Sequence, residues 1–218
     1  YARWLDAVKD PALLEELNAI KGDDAQIKER FFADLPFGTA GLRGIIGAGV
    51  ARMNRYVVGR ATQGLANYLK KGGKTDIKMV IAYDSRRFSR EFAREAACVL
   101  AGNGIKAYLF SQLTSVPELS FAVGYLKTDG GIVITASHNP RDYNGYKVYA
   151  SYGGQLGPEE SLKVMECIRE LDPFADVKRA DYEASVANGL IEEVGEDVDR
   201  AYYRHILELC GTDSAEDF

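Results

Sequence analysis

The chain has 218 residues, 46% of them apolar and 11% aromatic, which is enough to bury a sizeable core and too much for a disordered polypeptide. No run approaches the roughly 18 apolar residues that span a bilayer, YARWLDAVKD has no signal-peptide core, and Cys98, Cys167 and Cys210 form no CxxC pair, so we expect a cytoplasmic protein with reduced thiols, no cysteine metal framework and no membrane partner. The net charge of −5 divides unevenly, with 21 Lys and Arg against 15 Asp and Glu in residues 1–150 and six against 17 in residues 151–218, a balance that suits an anionic small molecule near the first part and argues against nucleic acid as a partner.

Asp10-Pro11 opens a helix through ALLEELNAI, with Asp as cap and Pro at the first helical position. Asp23 or Asp24 caps a second helix through Phe32. Five glycines between Gly38 and Gly49 point to a loop with a short strand at Leu42 to Ile46. Asn54 caps an amphipathic helix to about Lys71, with Val57, Val58, Ala61, Leu65 and Leu69 on one face, and Gly72-Gly73 ends it. Met79 to Ala82 is an apolar run without alternation, as a strand covered on both faces should be, and it ends in Tyr83-Asp84-Ser85-Arg86-Arg87. A helix from Ser89 to about Ala101, a strand Ile105 to Phe110, a helix from about Pro117 to Leu126 and a strand Gly131 to Thr135 follow. This βαβαβ order predicts an α/β fold, a three-layer α/β/α sandwich with a mixed, largely parallel central sheet. Beyond Tyr149, GGQLGPEESLKVMECIREL reads as a turn and a helix. Residues 174–198 read as acidic and irregular with a short strand at Leu190 to Val194, and a last helix runs from about Asp197 to Leu209.

In such a sheet ligands gather outside the C-terminal ends of the parallel strands. Two ends carry polar clusters, Asp84-Ser85-Arg86 and Thr135 to Pro140, and the Gly-rich Thr39-Ala40-Gly41-Leu42-Arg43 segment is a third candidate to surround a phosphate. Glycines admit an anion to backbone N–H groups, and Arg offers a bidentate fork. Lys147 can fold back toward Ser137 through a turn at Asn144-Gly145. Ser137 and His138 do not read as a hydrolase pair, because neighbours in an extended chain point to opposite faces, and no G-x-S-x-G elbow is present. His205 reads as structural. On the residues alone the Ser-His-Asn-Pro stretch can also be a plain turn, Arg43, Arg86 and Lys147 solvated or paired charges, and Asp84 a helix cap.

FGTAGLRG, the YDSR at a strand end and TASHNPRDYNGYKVY together resemble the first domain of the α-D-phosphohexomutases, in particular the bacterial α-phosphoglucomutase/phosphomannomutase branch, from about Trp4 to Leu209. The resemblance implies interconversion of hexose 1-phosphate and hexose 6-phosphate, of glucose or mannose, through a bound hexose 1,6-bisphosphate that also acts as activator. It implies that Ser137 is the phosphoserine, that His138, Lys147 and Arg43 act on the phosphoryl group and the reacting hydroxyl, and that Thr39, Asn139 and Arg86 bind phosphate or shape the serine loop. It further implies one Mg²⁺, reached by Ser137 through its phosphate and otherwise held by an Asp-Gly-Asp-Gly-Asp loop. That loop and the family's sugar-selecting segments are absent from these 218 residues. We therefore expect residues 1–197 to be domain 1 with a helical lead-in, and residues 198–218 the incomplete start of domain 2. The remaining domains of the same protein would complete an active enzyme, and the chain alone would be inactive. A non-catalytic sugar-phosphate-binding or interaction module of the same fold is the alternative.

Overall fold

The computed structural model describes residues 1–38 and 41–211. Its helices begin where the caps predict. Asp10 accepts from the backbone N–H of Ala12 and Leu13 at the start of α2 (Pro11–Ala19), and Asp23 from Gln26 at the start of α3 (Asp24–Phe31). Asn54 accepts from Tyr56 and Val57 at the start of α4 (Arg55–Lys70), while its Nδ2 donates to the carbonyls of Gly47 and Gly49 and ties the Gly-rich segment to the helix. A further short helix, α1 (Ala2–Ala7), precedes them.

One sheet has the strand order β1-β5-β4-β2-β3-β6. β2 (Lys78–Tyr83), β3 (Lys106–Phe110), β4 (Gly130–Ile134) and β6 (Ile191–Val194) are parallel neighbours. β5 (Tyr143–Ala150) is antiparallel both to β4 and to the edge strand β1 (Gly41–Ile45). The connections β2-α5-β3 and β3-α6-β4, through α5 (Ser89–Gly102) and α6 (Val116–Tyr125), are the expected βαβαβ run. Two layers of helix cover the sheet. Ile132 and Ile134 of β4 join Leu65 of α4 and Leu100 of α5 in one cluster, while Val133 joins Leu119 and Val123 of α6 in another. A strand buried on both faces has no polar side to alternate with, which is why these runs read as continuously apolar. α7 (Pro158–Arg169) packs on α4, α8 (Tyr182–Ala187) on β6 and α5, and α9 (Glu196–Cys210) on α6. α9 is unbroken across positions 197 and 198, and its Val198 is buried in the α6-side cluster. Among the described residues no helix is long and apolar enough to cross a membrane.

The structure corrects the expected turn at Asn144-Gly145. Both residues lie inside β5, and the chain reverses earlier, between Thr135 and Asp142. Asn144 is fully buried and its Nδ2 donates to the Arg87 carbonyl at 2.9 Å and to Ser89 Oγ at 3.0 Å, so the amide serves a tertiary contact. Gly145 provides room: a Cβ there would stand 2.5 Å from the Thr135 carbonyl oxygen and 2.9 Å from that of Leu42.

Candidate active site

β4 ends by delivering Thr135 and Ala136, both buried, into Ser137. The Thr135 N–H still bonds the Gly145 carbonyl at 3.0 Å, which extends the ladder by one residue. The chain then turns sharply. Asn139 N–H bonds the Ala136 carbonyl at 3.1 Å, the Ser137 N–H bonds Thr135 Oγ1 at 2.9 Å, and Ser137 takes a left-handed backbone conformation with φ +56°.

That conformation overturns the argument that Ser137 and His138 must face apart. Side chains alternate only along an extended chain, and a left-handed residue breaks that alternation. Ser137 Oγ lies 3.3 Å from His138 Nδ1. His138 has no carboxylate partner among the described residues, so the pair lacks the third member of a hydrolase triad. His205 stacks on Phe121 at 5.4 Å, consistent with its structural reading.

Two cations come to the same edge from neighbouring strands. In the antiparallel registers Lys147 sits opposite Val133 and Gly41, and Arg43 opposite Gly145. Opposite residues share a face. Val133 belongs to the α6-side cluster, so Lys147, Gly145 and Arg43 lie on that side of the sheet. Arg43 Nη1 donates to Asn139 Oδ1 at 3.1 Å, which links β1 to the serine loop. Neither Arg43 nor Lys147 is paired with a carboxylate among the described residues. Thr39 lies outside the described residues.

Arg86 reaches the loop from the far side. Its guanidinium donates to four carbonyls, those of Ser137 (2.7 Å), Asn139 (2.6 Å), Pro140 (2.8 Å) and Tyr143 (3.1 Å). Behind it stands Asp84, whose Oδ2 is 3.4 Å from Arg86 Nε. Asp84 Oδ1 accepts from the Arg86 N–H at 3.0 Å and from Ser89 Oγ at 2.7 Å. Ser89 and Asn144 escape a reading of the sequence, because a Ser after a strand and an Asn before Gly carry only cap and turn signals. An open groove of about 580 Å³, lined by Asp84, Ser85, Arg86, Ser111 and Leu113, adjoins the loop at the ends of β2 and β3, where a parallel sheet binds ligands. A more enclosed cavity of about 410 Å³ between α2, α4 and α5 is lined mainly by apolar residues and contains none of the serine loop.

Among the described residues no group of three or more His, Cys, Asp or Glu side chains is arranged to hold a metal ion.

A family model described as phosphoglucomutase/phosphomannomutase, alpha/beta/alpha domain I, matches residues 34–174. A phosphoglucomutase of Staphylococcus saprophyticus is 39% identical over 216 residues, covering 99% of this chain and 39% of that protein. A phosphoglucomutase of Staphylococcus haemolyticus is 49% identical over 144 residues, 66% of this chain and 26% of that protein. The crystal structure of a phosphoglucomutase/phosphomannomutase family protein from Burkholderia thailandensis superposes with a TM-score of 0.60 at 21% identity, covering 79% of this chain and 35% of that chain. At that identity the likeness carries the fold alone. The chain thus spans well under half the length of the curated relatives it matches.

Proposed function

The chain belongs to the phosphoglucomutase/phosphomannomutase family as its α/β/α domain I, and from that premise we propose that the protein of which it is part interconverts hexose 1-phosphate and hexose 6-phosphate by way of a phosphoserine at Ser137. The observation that carries this reading is Ser137 itself. It stands beyond the end of a buried parallel strand, in a left-handed conformation, with its Oγ beside an imidazole and with Arg43 and Lys147 on neighbouring strands, free of carboxylates among the described residues.

In the forward step a hydroxyl oxygen of the bound hexose phosphate attacks phosphorus on phospho-Ser137. A new O–P bond forms as the Oγ–P bond breaks, and the hydroxyl proton leaves to a base. His138, 3.3 Å from Oγ, lies beside the leaving oxygen, across phosphorus from the incoming hydroxyl, and gives Oγ its proton as that bond breaks. The hexose 1,6-bisphosphate then presents its other phosphate, and Ser137 Oγ takes back a phosphoryl group while its own proton passes to the departing sugar oxygen. Phosphoryl transfer depends on positioning and charge neutralisation more than on covalent assistance, and Arg43 and Lys147 supply positive charge for the phosphoryl oxygens. Mg²⁺ supplies further neutralisation when bound. This chain would meet it only through the phosphate on Ser137, the other ligands coming from the rest of the protein. Hexose phosphates and the remaining domains are the partners in this reading. A cytoplasmic location is supported by three free cysteines.

Intact mass after incubating the full-length protein with glucose 1,6-bisphosphate tests the reading. A gain of one phosphoryl group that is absent in Ser137→Ala is the expected result. No gain in either protein favours a non-catalytic sugar-phosphate-binding module.

A further inference from the structure

We infer that Arg86 is a positioning residue rather than a phosphate ligand, and that Asp84, Ser89 and Asn144 form the brace that fixes it against the serine loop. The geometry stands independently of the function, whereas the effect on rate rests on the mutase reading above.

A guanidinium has five N–H groups and no acceptor. Both hydrogens of Arg86 Nη2 are engaged by the Ser137 and Asn139 carbonyls, both of Nη1 by Pro140 and Tyr143, and Nε faces Asp84 Oδ2 at 3.4 Å. Neither Nη has a donor left for a substrate phosphate, and Nε is turned to a carboxylate that would repel one. The four carbonyls span the loop from the reactive serine to the first residue of β5, so one planar group fixes the whole reversal between β4 and β5.

The brace has a single hydrogen-bonding sense. Asn144 Nδ2 can only donate and the Asp84 carboxylate can only accept. Ser89 Oγ, between them at 3.0 Å and 2.7 Å, must therefore accept from Asn144 and donate to Asp84. The second Asn144 hydrogen bonds the Arg87 carbonyl at 2.9 Å, and Asn144 Oδ1 accepts from the Gly145 N–H at 2.7 Å. Ser89 and Asn144 are both 0% exposed, so water cannot substitute for a lost partner and the network favours one arrangement. It joins the end of β2, the start of α5 and the start of β5, and so refers the position of Ser137 to three rigid elements. A reactive serine in a left-handed conformation needs such surroundings, since that conformation persists only where neighbouring structure imposes it.

Two substitutions in the full-length protein test the inference. Arg86→Lys keeps the charge but replaces a planar fork with a point donor of three hydrogens, which cannot bridge four carbonyls. Ser89→Ala leaves Arg86 in place and breaks the brace. For both we expect faster amide hydrogen exchange at residues 136–143 with β2 and β3 unchanged. We also expect kcat to fall, by about 10²-fold for Arg86→Lys, while KM for the hexose phosphate stays within about threefold. A rise in KM with kcat preserved and loop exchange unchanged would make Arg86 a phosphate ligand and overturn the inference. So would unchanged loop exchange in both variants. If the unmodified protein has no mutase activity, the functional reading fails, and the exchange data alone decide the clamp. Should Arg86→Lys fail to fold, Ser89→Ala carries the same comparison.

Discussion

Ser137 shows how one residue can hold both strain and chemistry. A side chain with a Cβ in the left-handed region costs about 1–2 kcal/mol relative to the right-handed one, and Ser137 sits there at φ +56°. Phe88, at φ 63°, occupies the same region two residues after Arg86, so two of the three strained non-glycine residues described border one network. The strain is measurable without reference to activity. Ser137→Ala and Ser137→Gly both remove Oγ, but only glycine removes the Cβ. Glycine at 137 should therefore be more stable than alanine by about 1 kcal/mol, the left-handed penalty outweighing the extra entropy of an unfolded glycine. Urea denaturation of the two variants at equal m-value checks this. An alanine variant as stable as the glycine one would mean that the loop relaxes freely, contrary to a clamp.

At the scale of elements, the contact of α6 with α9 carries a titration. Val198 is buried against the α6 cluster, and Phe121 meets the rings of Tyr202 and His205 at 5.5 and 5.4 Å. Within this contact Glu118 is only 7% exposed. Burial, and then the neighbouring Asp199 carboxylate, push the Glu118 carboxyl up to about 7. Its unfolded value is near 4.3, so between those values the folded state holds the proton that the unfolded state has released. The stabilisation is complete below about pH 4.3 and is lost as pH rises through about 7. Stability should therefore decline between pH 5 and pH 8, and Glu118→Gln, which cannot ionise, should flatten that decline. Urea midpoints across the range check it, and an unaltered slope in the variant would refute the assignment. Elements of this size were legible in the sequence wherever periodicity had room to repeat. The three central strands, α4 to α6 and even the short β6 were expected where they stand, but α1 and α8, each six residues long, are too brief to register a helical period. The turn placed at Asn144-Gly145 failed because the decisive partners, Ser89 and the Arg87 carbonyl, lie more than fifty residues away. The left-handed Ser137 was invisible because no glycine marks it, and the Ser137–His138 contact was missed with it. Arg86 was legible as a candidate by its place at a strand end, but its partners were not, its four acceptors being backbone atoms of a loop whose shape no local pattern encodes.

For the molecule as a whole, the N-terminal helices belong to the same cooperative unit as the sheet. Trp4, the single tryptophan, packs edge-on against Phe31, Tyr56 and Phe174 at 5.3–5.7 Å, and Val57 of α4 touches both this cluster and the main core. Unfolding followed by Trp4 fluorescence should therefore coincide with unfolding followed by far-ultraviolet circular dichroism, and Trp4→Ala should cost about 3–5 kcal/mol. An earlier fluorescence transition would make the helical lead-in a separate unit. The candidate groups Arg43, Ser137, His138 and Lys147 come from one edge of the sheet, on β1, β5 and the loop between β4 and β5, and in the proposed reaction they would serve one reacting phosphoryl group. A hexose bisphosphate has a second phosphate at its far end, and the proposed reaction must grip each end in turn. No Asp-Gly-Asp-Gly-Asp loop occurs in the 218 residues, and the described residues offer no carboxylate cluster in its place. We therefore expect these 218 residues alone, shown to be folded by the coincident transitions, to give no conversion of glucose 1-phosphate to glucose 6-phosphate in a coupled dehydrogenase assay, while the full-length protein does. Turnover that copurifies with the 218-residue chain and disappears in Ser137→Ala would mean that this one edge suffices for both half-reactions.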